Sequence, residues 1–565
     1  MHRLHELFTA KAPRSLQVTR LLMFSAFVTG VGWLSVLPPG EGFDELGHYS
    51  YIQQIGDAGV ASVFRESRIS HDVTNYLKNL PGPYTSVSPF DDLRGGISYR
   101  KFFSTQLSRE AAVTLNTPRS YTPGNSRNSE SQHPPFYYAL LAPVYSASSH
   151  WNWLAQMFLL RSVSWLFAFL GYALGVVATA KYWPNKGAGL VAAGAAAWPF
   201  LVPMFFPEMA RLGGDSLCLL IMGGVWWMLL RLSSKDVKAR YRDFAVIGVL
   251  LGIGLLTKAF FIPITVGVAL LLLFRGNRIG PAIMVGLAVS IGFAWYLYKY
   301  VSTGVITGGS EQIDLARQGG LIRGLAEHFN LYGLVRGTLA VVVSAAWGGT
   351  FSLARFNEVL LAPLVVLLVV PPLAYIVKIR RAPLRDFSWA PVFVVAMFVA
   401  GLGHHVLVAV AMTGIGNNTP GWYLHILAGP LGLMYSLGLL WLLRFAAFRL
   451  VLPALALYSV AFFAAVSWVQ ISMYAGCAAK LGSSKYYAFP EGASCVLDVG
   501  KLTRNLSALA APYFGIPFLF CGIVCGSVGL AMLYAHLASS GGWDDGADRI
   551  SNDGDVNSPF HTMRS

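Results

Sequence analysis

Two adjacent carboxylates and a histidine follow the first apolar segment of the chain. Asp44, Glu45 and His48 lie within residues 38–49, directly after Leu37. A carboxylate held beside apolar surface is partly desolvated, which raises its proton affinity and suits it to general-base catalysis on a hydroxyl. A structural alternative is that Asp44 caps a surface helix that starts at Glu45. The residues alone predict either a catalytic base or a helix cap.

A second polar and aromatic group lies at residues 132–138, which read Gln-His-Pro-Pro-Phe-Tyr-Tyr. The two prolines stiffen the backbone, while His133 and Tyr137 offer hydrogen bonds and a stacking face to a sugar. Tyr423, in the later stretch 420–424, has the same capability. The alternative is an aromatic belt at lipid headgroups.

Charged residues also interrupt apolar segments. Lys258 stands within the apolar stretch 244–274, where a membrane-centred lysine costs about 2.5–3.5 kcal/mol on insertion scales. Another group should therefore compensate for this cost, unless the side chain snorkels to the headgroups. Arg211 precedes Asp215 by four residues, so Arg211 either pairs with Asp215 or reaches a phosphate. Asp215 is otherwise a helix cap.

The composition requires a membrane protein. Of 565 residues, 55% are hydrophobic and 12% are charged, with a mean hydropathy of +0.53. A lipid core of about 30 Å needs about 20 apolar residues per helical span. Backbone groups in lipid must bond internally, so the predicted fold is an all-α polytopic bundle. The formal net charge of +15 lies mainly in short basic clusters between apolar segments, which indicates topology and not nucleic-acid binding.

We predict about twelve crossings with both termini cytoplasmic. Residues 1–20 form the cytoplasmic N-terminus, 21–540 the membrane domain and 541–565 a disordered tail. The first external loop, 38–160, should contain interfacial helices; the second is 299–357 and the third 476–511. The predicted spans are 21–37, 161–183, 188–206, 215–231, 244–257, 260–274, 281–298, 358–377, 389–412, 422–443, 451–475 and 512–536. The fifth and sixth are short enough for a re-entrant pair.

Two cysteines fall in the third external loop. Cys477 and Cys495 would meet an oxidising compartment, where disulfides persist, so they are either a disulfide or two unpaired thiols. The sequence has no Gly-x-x-x-x-Gly-Lys loop, CxxC pair or His-Glu-x-x-His helix, which argues against ATPase, zinc-site and metalloprotease functions. His404 and His405 lie in an apolar span, where packing or interhelical hydrogen bonding is favoured over metal binding.

The loop opening at Asp44 and the segment at His133 together resemble the glycosyltransferase C superfold. This superfold includes protein mannosyltransferases, the aminoarabinose transferase acting on lipid A, and oligosaccharyltransferases, and its members use polyprenyl-phosphate sugars. The resemblance implies that Asp44 is the catalytic acid of the first loop, with Glu45 its neighbour, and that Lys258 faces the lipid phosphate. Trp422 departs from the pattern, because an arginine is expected there. Some relatives use a divalent metal ion, but no carboxylate cage for one is visible here.

These features predict an inverting membrane glycosyltransferase of the bacterial inner membrane. It would move a hexosyl or pentosyl group from a polyprenyl-phosphate donor to a glycan, lipid or protein acceptor on the external face. Catalysis would use Asp44 and Glu45. Substrate contacts would come from His48, His133, Tyr137, Asp215 and Tyr423, and phosphate contacts from Lys258 and Arg211. The alternatives are a multi-span transporter or flippase, whose paired broken helices are not evident, and a glycan ligase or polymerase.

Overall fold

A computed structural model describes the chain over twelve ranges: 13–59, 66–82, 97–104, 109–183, 187–234, 237–276, 278–307, 309–350, 356–416, 419–480, 487–490 and 492–539. Most of the predicted cytoplasmic N-terminus and the whole predicted tail, 541–565, lie outside these ranges.

The first helix and the loop that follows it form one packed unit. Helix α1 is Arg14–Val36. The loop contains α2 (Glu45–Ala58), β1 (Arg68–Ser70), α3 (His71–Asn79), α4 (Tyr99–Ser104), α5 (Arg109–Asn116), β2 (Pro123–Arg127), a 3-10 turn (Ser129–Gln132) and α6 (Phe136–Ser148). The two strands are antiparallel, with Arg68 opposite Arg127 and Ser70 opposite Pro123. The predicted helices of this loop are therefore present.

The middle of the chain is a run of apolar helices. In order they are α7 (Trp153–Tyr182), α8 (Ala188–Leu201), α9 (Phe205–Met209), α10 (Asp215–Ser233), α11 (Tyr241–Leu255), α12 (Phe261–Phe274) and α13 (Ile279–Thr303). The segment predicted as the second external loop is largely helical, with α14 (Ser310–Arg317), α15 (Gly320–His328) and α16 (Leu331–Ala346).

The rest of the chain completes the bundle. It contains α17 (Glu358–Ile379), a 3-10 turn (Phe387–Trp389), α18 (Ala390–Thr413), a 3-10 turn (Gly421–Leu427), α19 (Ala428–Leu442), α20 (Ala446–Tyr474), β3 (Ala479–Lys480), β4 (Tyr487–Ala488), α21 (Ala493–Val496), α22 (Val499–Leu506) and α23 (Pro512–Ser539). Strands β3 and β4 pair in antiparallel fashion. Cys477 and Cys495, which flank this hairpin, form a disulfide with Cα atoms 5.6 Å apart.

The protein is an all-α polytopic membrane protein. Nine helical segments of the described ranges are long and apolar enough to span a bilayer: those built on α1, α7, α10, α13, α17, α18, α19, α20 and α23. Helices α15 and α16, bent by 112°, would together make a tenth. The three other predicted spans correspond to α8, α11 and α12, which have only 14 or 15 residues. The predicted count of twelve is therefore not confirmed.

Close helix packing depends on small residues, as is usual where lipid supplies no hydrophobic drive between helices. A Cβ atom on Gly171 of α7 would lie 2.3 Å from the carbonyl oxygen of Leu219 on α10. A Cβ atom on Gly223 of α10 would lie equally close to the carbonyl oxygen of Gly171. These two glycines let the backbones of α7 and α10 touch, and so fix the start of α10, where Asp215 lies.

Candidate active site

Asp44 occupies the sharp turn between α1 and α2 in an unusual backbone conformation. Its φ of 57° and ψ of 11° place it in the left-handed region, and among the described residues it is the sole non-glycine with positive φ. Such a conformation costs about 1–3 kcal/mol and is characteristic of functional sites. Asp44 stands at the N-cap position of α2, yet its side chain makes no capping hydrogen bond. The carboxylate is thus available for another role.

The residues on both sides of Asp44 are anchored by buried arginines. Arg211 donates from Nη1 to the carbonyl oxygen of Phe43 at 2.9 Å. Arg161 on α7 donates from Nε to Oε1 of Glu45 at 2.7 Å. These contacts hold the backbone on either side of Asp44, which explains how the strained turn persists.

Glu45, unlike Asp44, is held in a buried network of hydrogen bonds. Besides Arg161, its oxygens accept from the backbone N–H groups of Gly40 at 2.9 Å and Leu212 at 3.0 Å. The side chain is fully buried and does not line the cavity described below. Burial by itself would raise the pKa of Glu45, but Arg161 and these hydrogen bonds hold it below its usual range. Glu45 therefore holds the turn beside Asp44 from outside the cavity, and its catalytic role stays a prediction.

Four charged side chains form a buried chain that ends at Lys258. Arg211 contacts Glu208 (Nη2 to Oε1, 2.7 Å) and Asp215 (Nη2 to Oδ2, 2.8 Å). Asp215 in turn accepts from Lys258 Nζ at 2.8 Å. The compensating group expected for Lys258 is therefore Asp215, at the start of α10, where the helix dipole also favours a carboxylate. Arg211 and Lys258 both keep one face on the cavity.

Glu130 is a carboxylate near Asp44 that was not among the predicted site residues. Its Oε2 is 3.4 Å from Nδ1 of His48 and 3.3 Å from Nε2 of His133. Nδ1 of His48 is also 2.9 Å from the hydroxyl oxygen of Tyr138. The sequence did contain a signal for Glu130, which stands in the 3-10 turn, three residues before His133. Glu130, His48 and His133 all line the cavity.

The surroundings of Asp44 suit it to act as a base near neutral pH. Burial among protein atoms and the charge of Glu130 raise the pKa of Asp44 to about 6, although Arg211 and Lys258 oppose this shift. The carboxylate itself remains open to the cavity. Burial lowers the pKa of His48 to about 3, so its imidazole is neutral at pH 7. Burial opposes ionisation of Glu130, but the two imidazoles outweigh it and lower its pKa.

One cavity of about 690 Å³ is lined by Asp44, His48, Glu130, His133, Arg211 and Lys258. Its volume is within the usual range of small-molecule sites. One wall is polar and carries Asp44. The other is apolar and is formed by α12 and α18, with Pro263, Val266 and Met397 among its members. Val266 is 41% exposed and Ala400, on the same wall, is also exposed, so this wall opens to the side of the bundle.

Some of the other predicted site residues line the cavity, and others contact the residues that line it. Tyr423 lines the cavity, and its ring centroid is 4.8 Å from Lys258 Nζ. Asp215 supports Lys258 from behind. Tyr137 is buried, with its hydroxyl 2.8 Å from Ser164 Oγ, and does not line the cavity, so its substrate contact stays a prediction. His404 and His405, expected to pack or to form interhelical hydrogen bonds, line the cavity.

The described part of the chain contains no group of three or more His, Cys, Asp or Glu residues arranged to hold a metal ion. The cavity is lined by the carboxylates of Asp44, Glu130 and Glu311, the cations Lys258 and Arg211, four histidines and an apolar wall.

Comparison with known proteins gives a likeness of overall arrangement. No family model matches the chain, and no curated protein matches it. Two solved structures are similar, both of ArnT from Cupriavidus metallidurans: one bound to undecaprenyl phosphate, at 14% identity and a TM-score of 0.46, and one in the apo state, at 13% and 0.44. Each match covers 91% of this chain and 77% of ArnT.

Proposed function

We propose that this protein is an inverting membrane glycosyltransferase whose catalytic base is Asp44. The observation that carries the proposal is the position of Asp44. Its strained turn is anchored on both sides, and its carboxylate opens onto a cavity shared with two buried cations. A pKa of about 6 leaves the carboxylate mostly ionised at neutral pH and still close to the range in which general bases work well.

The shape of the cavity supports a lipid-phosphate sugar as donor. The apolar wall between α12 and α18 opens sideways and fits a polyprenyl chain that remains in the bilayer. Lys258 and Arg211 lie at the polar end of the same cavity. The ammonium of Lys258 is a compact charge suited to a phosphate, and Asp215 holds it in place before the donor arrives.

The reaction then balances in one displacement. Asp44 takes the proton of an acceptor hydroxyl as that oxygen bonds to the anomeric carbon of the donor sugar. The bond between this carbon and the phosphate oxygen breaks from the opposite face, and its electron pair leaves with the lipid phosphate. Lys258 and Arg211 stabilise the charge that develops on the phosphate. The configuration at the anomeric carbon is inverted.

We place the site on the external face of a bacterial inner membrane, with cytoplasmic termini. The disulfide supports this, because it lies at the same end of the bundle as the first loop. Tyr474, just before Cys477, packs on Tyr99 of α4 with ring centroids 5.5 Å apart. Disulfides persist outside the cytoplasm, where nucleotide sugars are not available and a lipid-linked donor is needed.

The deciding experiment is Asp44→Asn, with Glu327→Gln as a matched control on an exposed carboxylate of α15 that pairs with Arg323. Asparagine also tolerates the left-handed conformation, so the turn should be preserved. Loss of a general base should lower the transfer rate by roughly 10²–10⁴. Cells that lack the protein would receive each variant, and their envelope glycans would be analysed by mass spectrometry. Normal glycans with Asp44→Asn would refute the catalytic assignment.

The competing transporter function is separated by the purified protein in vesicles. A transferase consumes a polyprenyl-phosphate sugar, whereas a flippase moves the same lipid between leaflets without breaking its sugar–phosphate bond. Transbilayer movement of intact donor by both the wild type and Asp44→Asn would favour the transporter.

A further inference from the structure

The cavity has a second polar region, separate from the groups around Asp44. It is formed by Glu311 and Gln312 of α14, His405 of α18 and Thr419, and we call these four residues the outer polar cluster. All four line the same cavity as Asp44. The proposed chemistry uses none of them.

The outer polar cluster has an unused acceptor at its centre. Oε2 of Glu311 is buried and accepts no hydrogen bond from any described residue. Nδ1 of His405 lies 3.7 Å from it, which is beyond hydrogen-bonding distance. That nitrogen lies instead 3.2 Å from Oγ1 of Thr419. A buried acceptor without a donor is unfavourable, so a ligand hydroxyl at this position would satisfy it.

The outer polar cluster is connected to the groups around Asp44 on two sides. The backbone N–H of Ser310, next to Glu311, donates to Oε1 of Gln132 at 3.3 Å, and Gln132 is adjacent to His133. On the other side, Thr419 is four residues from Tyr423, whose ring contacts Lys258. A ligand in the outer polar cluster is therefore next to the proposed reaction centre.

The two regions differ in charge. Lys258 and Arg211 are the cations that line the cavity within the described residues, and each is bonded to Asp215. The outer polar cluster contains no lysine or arginine. An anionic group bound there would approach the Glu311 carboxylate with no lysine or arginine beside it. Two negative charges at such short range repel each other, which disfavours an anion in the outer polar cluster.

We propose that the outer polar cluster binds the acceptor, and that the acceptor presents an uncharged, hydroxyl-rich sugar unit there. This rests on the proposed function, because that function places the donor phosphate at Lys258 and hence the donor sugar one bond away from it. Among the described residues, Lys258 forms its hydrogen bonds and ion pair with Asp215 and not with the outer polar cluster. The remaining substrate, the acceptor, occupies the cluster and reaches Asp44 with its hydroxyl.

Binding of two simple probes tests this without requiring catalysis. A methyl hexoside and the corresponding methyl hexuronoside differ by one carboxylate, and their affinities for the purified full chain in lipid nanodiscs can be measured by saturation-transfer NMR. For the wild type and for the control Glu327→Gln, we expect the hexoside to bind at least about tenfold more tightly. In Glu311→Gln the hexoside should weaken and the preference should fall towards equal affinity.

A second variant keeps the experiment decisive if Glu311→Gln misfolds. Thr419→Val removes the hydroxyl that lies beside His405 but leaves the charge of Glu311, so hexoside affinity should fall while the hexuronoside stays excluded. Equal affinities in the wild type, or an unchanged preference in Glu311→Gln, would overturn the proposal. The proposed function is tested separately: if Asp44→Asn retains full transfer, the catalytic assignment fails on its own, whatever the binding preference.

Discussion

Lys258 and Asp215 form a buried ion pair, with Nζ 2.8 Å from Oδ1 and 2.9 Å from Oδ2. Removing one partner of such a pair costs roughly 3–5 kcal/mol, because the other charge is left buried. We therefore expect Asp215→Asn to unfold at a markedly lower temperature than the wild type. Adding Lys258→Met removes the stranded charge and should recover part of the loss. Thermal unfolding of both single variants and the double variant in nanodiscs measures the coupling, and additive losses would contradict it.

Asp44 should impose a pH dependence on transfer. Its pKa is raised to about 6 by burial and by Glu130, and the base is active only when ionised. The value of kcat/KM should therefore rise with pH through about 6 and level off above it. Donor consumption by the purified protein between about pH 5 and 8 checks this window. A flat profile there would exclude Asp44 as the titrating base.

Local sequence rules identified the charges of the site and offered the pair of Arg211 with Asp215, but they did not pair Lys258 with Asp215. Lys258 stood out because it interrupts an apolar stretch, and the structure places it on the cavity. Asp44 and Glu45 are adjacent carboxylates that the sequence could not distinguish. They differ because Glu45 is bonded by Arg161, 116 residues later in the chain, and by the N–H of Leu212. Glu130 was missed because its partner His48 belongs to another element of the first loop.

The fold was also predicted in part. Hydropathy marked all twelve apolar segments, since each corresponds to a helix. It gave the short lengths of α11 and α12, whose segments were expected to be short enough for a re-entrant pair, but it extended α8 to residue 206, beyond its end at Leu201. Helices α14 and α15 were missed because each has fewer than ten residues, and the apolar α16 was included in the same predicted loop.

Arg211 should act on catalysis through the backbone that it holds. Arg211→Lys keeps a positive charge, but a single ammonium cannot reproduce the guanidinium contacts to Phe43, Glu208 and Asp215. The turn at Asp44 should lose its anchor at the Phe43 carbonyl, and kcat should fall by about tenfold or more while the KM for donor changes little. The matched control is Arg231→Lys, whose partner Asp243 lies at the start of α11. An increase in KM with unchanged kcat would show that Arg211 only binds the donor phosphate and does not hold the turn.

The disulfide between Cys477 and Cys495 should stabilise the end of the bundle that carries the first external loop. It closes a segment of 18 residues, and a loop of this length corresponds to about 3 kcal/mol of stabilisation. Replacing both cysteines with serine should therefore lower the unfolding temperature and expose the segment after α20 to proteolysis. Cys218→Ser, at a buried free thiol, serves as the control for cysteine loss. Mass spectrometry after alkylation with and without reductant reports the bond directly: if both thiols alkylate without reductant in native membranes, the segment does not face an oxidising compartment, and the external placement of the site fails with it.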